Sequence, residues 1–175
     1  MKCSDNRVIV AINGSGTTFI EWLKATKKEE VVALINRHED ILQKLPAKYK
    51  IFADKNISIE KDLLELKKEL VEQNIFIVIS LADDYSDVIL NKFLHIFEDK
   101  LTRVCIIAVT PFDFEGKLRL QQSKDLKEQI DSQNVNIIEI SYQLISEMVP
   151  KKILFFDFLK EVNKQIYNEI EQYKF

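Results

Sequence analysis

Glycine, proline and cysteine are all scarce in this sequence, whose 175 residues contain three glycines, three prolines and two cysteines. No Gly/Ser linker, internal repeat or low-complexity tract divides the chain. Cys3 and Cys105 lie far apart, and neither forms a metal-ligand spacing with His38 or His95. We therefore expect one reduced, cytoplasmic domain over residues 1–175, without structural zinc.

The sequence also lacks long hydrophobic runs and an excess of charge of either sign. No apolar run reaches the roughly 18 residues that a membrane span requires, and the N-terminus has no small-residue cleavage site. The 25 Lys and Arg nearly balance the 28 Asp and Glu, which leaves a net charge of −3. We expect neither secretion nor a membrane span, and no general attraction to nucleic acid.

Short apolar runs that alternate with amphipathic segments are the main pattern that is present. Runs of this kind without polar interruption indicate strands covered on both faces. Strands that alternate with helices through short turns predict an α/β fold, a Rossmann-like three-layer α/β/α sandwich with a mostly parallel sheet and a long C-terminal helix. The predicted strands are Arg7 to Ile12, Val31 to Ile35, the possible edge strand KYKIFAD, Ile75 to Leu81, Arg103 to Thr110, and Val135 to Ile140.

The predicted helices occupy the segments between these strands and after the last one. They begin near Thr18 after an Asn13–Thr18 turn, at a Ser58 cap, near Val88, after Gly116 and near Lys152. In an open α/β sheet, ligands bind outside the carboxyl ends of the strands. Pro111, Phe112, Asp113, Glu115 and Arg119 follow such an end.

Two turns after strands have both a functional and a structural interpretation. Gly14 and Gly16 in NGSGTT suit close approach of a phosphate to backbone N–H groups, or simply a tight turn. Asp83, Asp84 and Asp87 suit a magnesium ion, or simply a solvated loop. Neither pattern decides between its two interpretations.

Several single residues favour structural roles. Glu115 and Arg119 have the i,i+4 spacing of an ordinary helix ion pair. His38 has no nucleophile pattern near it, so a solvent-facing loop position is favoured, and His95 is expected on an exposed helix face. Cys105 lies inside an apolar run and is expected to be a small buried hydrophobe.

The segment TPFDFEGKLRLQQSKDLKEQI resembles a block of the tubulin/FtsZ superfamily, in which a strand enters a Pro-Phe-x-Phe-Glu-Gly turn and then a basic helix. Other segments resemble that family in the same order along the chain. VIVAINGSGTT resembles its first glycine loop, VVALINRHEDIL resembles its second strand, and IFIVISLADDY lies where its glycine-rich signature is expected. The segment from Ile137 resembles its last strand of this domain and its long central helix. The resemblance covers nearly the whole chain, as the nucleotide domain alone.

The resemblance implies residual contacts to GTP or GDP. Gly14 and Gly16 would lie in the first phosphate loop, and Asn36 near the nucleotide. Glu115 and Arg119 would approach ribose and phosphate, and Asn163 would face the guanine.

The chain departs from the family at the signature itself. Leu81–Asp87 replaces the Gly-Gly-Gly-Thr-Gly-Thr-Gly loop whose N–H groups hold the phosphates, and its carboxylates would repel them. The chain printed here stops at Phe175, before the acidic loop that activates water in the family. The resemblance therefore implies an inactive GTPase, with no catalytic residue and no resident metal beyond the candidates Asp83 and Asp84.

The expected function is that of a non-catalytic FtsZ-like protein in cell division that acts through protein contacts, for example as a regulator or cap of FtsZ filaments. The last helix has an apolar face wider than one packing surface needs, so Phe156, Phe158 and Tyr167 are expected to meet full-length FtsZ or a second copy. Two alternatives stay open: a guanine-nucleotide-binding protein or weak GTPase, and a structural homo-oligomer.

Overall fold

The computed structural model describes residues 6–27 and 31–175, so Cys3 lies outside the described residues. Six strands alternate with seven α-helices within these ranges. The elements are β1 Arg7–Ile12, α1 Asn13–Thr26, β2 Val31–Asn36, α2 Glu39–Lys44, β3 Ala47–Phe52, α3 Glu60–Glu69, β4 Asn74–Ser80, α4 Ser86–Ile96, β5 Val104–Thr110, α5 Lys117–Ser132, β6 Asn136–Ser141, α6 Tyr142–Met148 and α7 Phe155–Gln172, with short 3-10 turns at Glu98–Arg103 and Asp113–Glu115.

All six strands form one parallel sheet in the order β3-β2-β1-β4-β5-β6. The four inner strands, β2, β1, β4 and β5, are almost continuous runs of apolar residues, because helices cover both of their faces. From β1 the chain adds β2 and β3 on one side, and it then returns to add β4, β5 and β6 on the other side of β1. Connections leave β1 and β4 toward opposite sides, and this opens a crevice at their carboxyl ends.

Two separate apolar cores lie on the two faces of the sheet. One joins the sheet to α3, α4 and α5, with Phe93 and Phe97 stacked at a centroid distance of 4.2 Å. The other joins it to α1, α2 and α7, with Phe19, Phe158 and Ile166 buried against the strands. The predicted three-layer α/β/α sandwich with a long last helix is therefore confirmed.

Several helices differ from the prediction, and at α3 the N-cap position is Ile59, one residue after the predicted Ser58. α1 begins at Asn13, directly after β1, so the predicted Asn13–Thr18 turn is wrong. The chain turns directly from β1 into α1 because Asn13 adopts a left-handed φ of 48°, which asparagine tolerates, and because Gly16 has no side chain to separate the first turn of α1 from the backbone of Ala11. α6 was not predicted; it is capped by Ser141, whose hydroxyl accepts from the Leu144 N–H at 3.3 Å. α7 begins at Phe155, three residues after the predicted start.

Within the described ranges, no helix has both the length and the apolar character needed to cross a membrane.

Candidate functional site

A cavity of about 610 Å³ opens at the carboxyl ends of β1, β2 and β4, where the sheet topology places the crevice. Its walls come from the start of α1, the end of β2, the loop after β4 and the start of α5. The lining residues are Asn13, Gly14, Thr17, Thr18, Asn36, Arg37, His38, Ile41, Ala82, Asp83, Asp84, Leu118, Arg119 and Gln122. Of the six residues predicted to contact a nucleotide, Gly14, Asn36 and Arg119 therefore line this cavity.

The carboxylate of Asp83 lies at the N-terminus of α1, inside this cavity. The backbone N–H of Gly14 donates to Asp83 Oδ2 at 2.9 Å, and Arg119 Nη2 lies 3.4 Å from Asp83 Oδ1. A helix N-terminus favours a nearby negative charge, so the protein's own carboxylate takes the position that suits an anion. Sequence reasoning placed carboxylates near this site, but it did not predict that one of them is bonded to Gly14.

Burial raises the pKa of Asp83, although the Gly14 N–H, the Ser80 hydroxyl and the Arg119 guanidinium each favour the charged form. The nearby Glu115 carboxylate raises this pKa slightly further. Desolvation therefore outweighs the local donors, since the carboxyl is held largely away from water.

Arg37 approaches the second acidic residue of the loop from the β2 side. Its Nη1 lies 3.8 Å from Asp84 Oδ2, and its guanidinium lies 5.7 Å from the ring centroid of Tyr85. Tyr85 has a left-handed φ of 68°, which is costly for a residue with a side chain. Asp83 thus faces Arg119, and Asp84 faces Arg37.

Glu115 and Arg119 form the predicted ion pair, with 3.2 Å between Oε2 and Nη1. Glu115 does not line the cavity: its Oε1 accepts from the N–H of Phe112 at 2.8 Å and so closes the turn after β5. The main role of Glu115 in the structure is to hold this turn, while Arg119 extends from it toward Asp83.

The two predicted asparagines both hold α1 in place. The side-chain amide of Asn36 donates to Thr17 Oγ1 at 3.0 Å and its oxygen accepts from the N–H of His38 at 2.8 Å. Asn163 donates to the carbonyl of Thr18 at 3.2 Å, and it does not line the cavity. Gly16 is also outside the lining, since it packs on Ala11 of β1.

Asn13 is a site residue that sequence reasoning missed. Its amide nitrogen donates to Ser86 Oγ at 3.1 Å, whereas its Oδ1 is buried without a hydrogen-bond partner within the described part of the chain. A buried acceptor without a donor is costly. The available signal was the tolerance of asparagine for left-handed backbone at the end of a buried strand.

Of the other predicted candidates, His38 lines the cavity, whereas His95 and Cys105 do not. Residues 6–27 and 31–175 contain no group of three or more His, Cys, Asp or Glu side chains placed to hold a metal ion. His38 and His95 are exposed, as predicted, and Cys105 is buried in β5, where desolvation raises the pKa of its thiol to about 12.

The predicted partner face on α7 needs correction. Phe158 is only 3% exposed and packs inside the core between Phe112 and Tyr142, so it is not available to a partner. Tyr167 is half-buried against Trp22, at a centroid distance of 5.8 Å. Helical periodicity showed how wide the apolar face is, but not which part of it α1 and the sheet cover.

Exposed apolar side chains cluster instead at the N-terminal end of α7 and on the turn after β5. Phe114 and Phe156 are 79% and 78% exposed. Phe114 stacks on the half-buried Phe112, and Phe155 stacks on the buried Phe158. The term "aromatic face" below means Phe114, Leu154, Phe155 and Phe156.

Comparison with solved structures finds the same fold in several proteins. The chain superposes on an FtsZ dimer structure from M. jannaschii with a TM-score of 0.69 and 19% identity, over 94% of this chain and 53% of that one. A CetZ from Methanosaeta thermophila gives 0.65 and 14% over 94% and 53%, and TubZ of Clostridium botulinum phage c-st gives 0.70 and 13% over 95% and 61%. Neither a protein-family model nor a curated protein matches the sequence. The chain has a tubulin/FtsZ-like fold and spans little more than half the length of these proteins.

The residues at the start of α1 do not fit a nucleotide phosphate as they stand. The Gly14 N–H, which would serve the phosphate, already donates to Asp83, and the Asp83 carboxylate would repel a second anion there. The Leu81–Asp87 loop contains no glycine, so its side chains limit how closely a ligand approaches its backbone.

Proposed function

We propose that this chain is a non-catalytic FtsZ-like protein that acts through protein contacts and binds no nucleotide as a cofactor. The hydrogen bond from Gly14 N–H to Asp83 is the observation that carries the proposal. This bond means that the protein's own carboxylate occupies the anion position at the N-terminus of α1. A nucleotide-binding relative would need that position free for a phosphate.

The electrostatic cost of a competing phosphate supports the same conclusion. Two unit charges about 4 Å apart repel by roughly 4 kcal/mol at the effective dielectric near a protein surface. Micromolar affinity amounts to about 8 kcal/mol in total, so one such repulsion, before the opposing attraction of Arg119 is counted, would remove about half of it. Asp84 adds a second carboxylate to the same wall of the cavity.

We assign the protein contacts to the aromatic face. The exposed parts of its three phenylalanines add up to on the order of 400 Å² of apolar surface. Monomeric proteins rarely expose contiguous apolar patches larger than a few hundred Å² unless a partner covers them. The inner rings of Phe112 and Phe158 lie 5.3 Å apart in a tilted arrangement, and they link Phe114 to Phe155 beneath the surface.

The proposed partner is the filament of full-length FtsZ, which the chain would cap or regulate during cell division in the cytoplasm. The fold supports this, because a chain that reproduces the FtsZ-like domain can present a matching surface to FtsZ itself. Self-association is the alternative partner, and it is supported by the similar M. jannaschii structure being described as an FtsZ dimer.

Co-sedimentation with polymerising FtsZ tests the proposed contact. The wild-type chain is expected to pellet with the filaments and to change their mass or length, whereas Phe156→Ser is expected to lose both effects. Leu64→Ser is the matched control, because Leu64 is an exposed apolar residue on α3, outside the aromatic face. Unchanged filament mass and length with the wild-type chain would refute the FtsZ proposal, and light scattering of the chain alone would then detect a homo-oligomer.

One alternative function is supported by the size of the cavity and by its two arginines. A cavity of 610 Å³ with Arg37 and Arg119 on its walls suits an anionic ligand once the Asp83 carboxylate turns away. The protein would then bind a guanine nucleotide, or act as a weak GTPase. Calorimetry with GTP and GDP, with and without magnesium, decides between the two functions: the proposal requires no heat of binding at micromolar nucleotide.

A further inference from the structure

We propose that a groove beside β6 binds a basic, partly apolar extended segment of a partner protein. The groove lies between β6, α6 and α7 and has a volume of about 330 Å³. It shares no residue with the aromatic face, so this inference stands independently of the proposed function.

The floor of the groove is apolar and two exposed apolar side chains flank it. Ile140 is buried at its base, and Ile145 and Val149 are half-buried against the same core. Leu144 and Met148, on α6, are 62% and 83% exposed. Burying both in a contact removes a large apolar area from water, and methionine adapts well to different partners.

The charge that lines the groove is entirely negative. Glu139, Glu161 and Glu169 line it, and its described lining includes no lysine, arginine or histidine. Glu139 is held by Lys127 at 2.6 Å, whereas Glu161 has only a 3.7 Å contact with Lys164 at an exposed position. Glu169 accepts a hydrogen bond from the neutral amide of Gln165. A segment with lysine or arginine side chains therefore complements this surface.

The strand beside the groove is an edge strand whose only charged side chain is Glu139. β3, at the opposite edge of the sheet, carries Lys48 and Lys50 and follows Pro46, which discourage pairing with another chain. β6 pairs with β5 on one side only, and its sequence NIIEIS contains neither lysine nor proline. Residues 139–141 of β6 line the groove, so a segment lying there can also pair with the open edge.

Charge also excludes the other candidate occupants. A second copy related by a two-fold axis through this groove would bring its own three glutamates against these three, which is unfavourable. Nucleic acid would be repelled for the same reason. A basic protein segment is the occupant that satisfies the apolar floor, the charge and the open strand edge together.

A fluorescence-anisotropy titration with a labelled octapeptide of alternating lysine and valine tests the inference. The wild-type chain is expected to bind it, and the double variant Glu161→Lys/Glu169→Lys is expected to bind at least tenfold more weakly. The control Glu21→Lys/Glu65→Lys makes the same change in net charge at exposed positions outside the groove, and it is expected to stay within twofold of wild type.

Met148→Asp separates groove binding from simple charge attraction. It adds a negative charge, so attraction alone would strengthen binding, whereas loss of the apolar contact is expected to weaken it several-fold. Equal losses in the two double variants, stronger binding by Met148→Asp, or no binding of the peptide by the wild-type chain would each overturn the inference. Circular dichroism of every variant confirms that it is folded.

Discussion

The backbone N–H of Gly14 and the Oδ2 atom of Asp83 are hydrogen-bonded at 2.9 Å, and this contact joins the start of α1 to the loop after β4. It connects the two sides of the crevice at the point where the sheet reverses direction. A Cβ atom at Gly14 would lie 2.5 Å from the same oxygen, so the absence of a side chain there is what allows the contact.

Gly14→Ala is therefore expected to destabilise the protein, although alanine is normally the better helix former. The methyl group forces the Asp83 carboxylate away, and the lost charge-assisted hydrogen bond is worth about 1.5–3 kcal/mol against roughly 0.5–1 kcal/mol gained from helix propensity. Urea unfolding should show a net loss of at most about 1 kcal/mol, because a carboxylate that turns into water also recovers its desolvation penalty. In an Asp83→Ala background, Gly14→Ala should instead raise the free energy of unfolding, because no carboxylate is displaced. A loss of stability in both backgrounds would contradict this account.

Gly16→Ala provides a contrast two residues further along α1. Its added Cβ would lie 2.9 Å from the carbonyl carbon of Ala11, which is strand backbone and cannot rotate away. Overpacking of this kind costs about 1–3 kcal/mol. Urea unfolding should show that loss with or without Asp83, and rescue by Asp83→Ala would show that the two glycines act through the same contact.

The raised pKa of Asp83 predicts a pH-dependent difference between wild type and Asp83→Asn. A carboxyl with a raised pKa in the folded state contributes stability at low pH, and this is lost as pH rises through the folded pKa. The free energy of unfolding of Asp83→Asn, relative to that of wild type, should therefore increase as the pH is raised from 4 to 8. Asp87→Asn, at an exposed carboxylate of α4, controls for net charge, and an equal trend in that variant would remove Asp83 as the cause.

Substitution of Phe158 is expected to lower the stability of the protein strongly, whereas substitution of Phe156 is expected to leave it almost unchanged. Phe158→Ala should cost about 3–5 kcal/mol of unfolding free energy, because the side chain is 3% exposed in the core below α7. Phe156→Ala should change it by less than about 0.5 kcal/mol. Thermal or urea unfolding measures both, and a large loss from Phe156→Ala would place that residue in packing rather than on a contact surface.

Cys105 is expected to be unreactive in the native protein. Burial raises the pKa of its thiol to about 12, so the nucleophilic thiolate is almost absent at neutral pH. In a Cys3→Ser background, Ellman's reagent at pH 8 should label the protein only when urea unfolds it. Rapid labelling of the folded protein would mean that β5 opens locally, since no access is otherwise provided to its buried thiol.

Much of the fold was predictable from the sequence, because covered strands and amphipathic helices leave distinct periods. The strand predicted at Arg7 to Ile12 is correct to the residue, and KYKIFAD was correctly identified as an edge strand. The beginning of α1 was not predictable, since Asn13-Gly14-Ser15-Gly16 is a turn sequence by local preference. Its helical state depends on the missing side chain of Gly16, which lets the first turn of α1 pack directly on Ala11 of the preceding strand β1.

The candidate site divides in the same way. The sequence by itself determined that acidic residues follow β4 and that Glu115 pairs with Arg119, because order along the chain and i,i+4 spacing are local properties. Only the tertiary structure decided that Asp83 meets Gly14, that Phe158 is buried and that Phe114 joins the aromatic face. These outcomes depend on distances between segments far apart in the chain, and those distances are set when the sheet brings β1, β4 and β5 together and α1 and α7 pack against it.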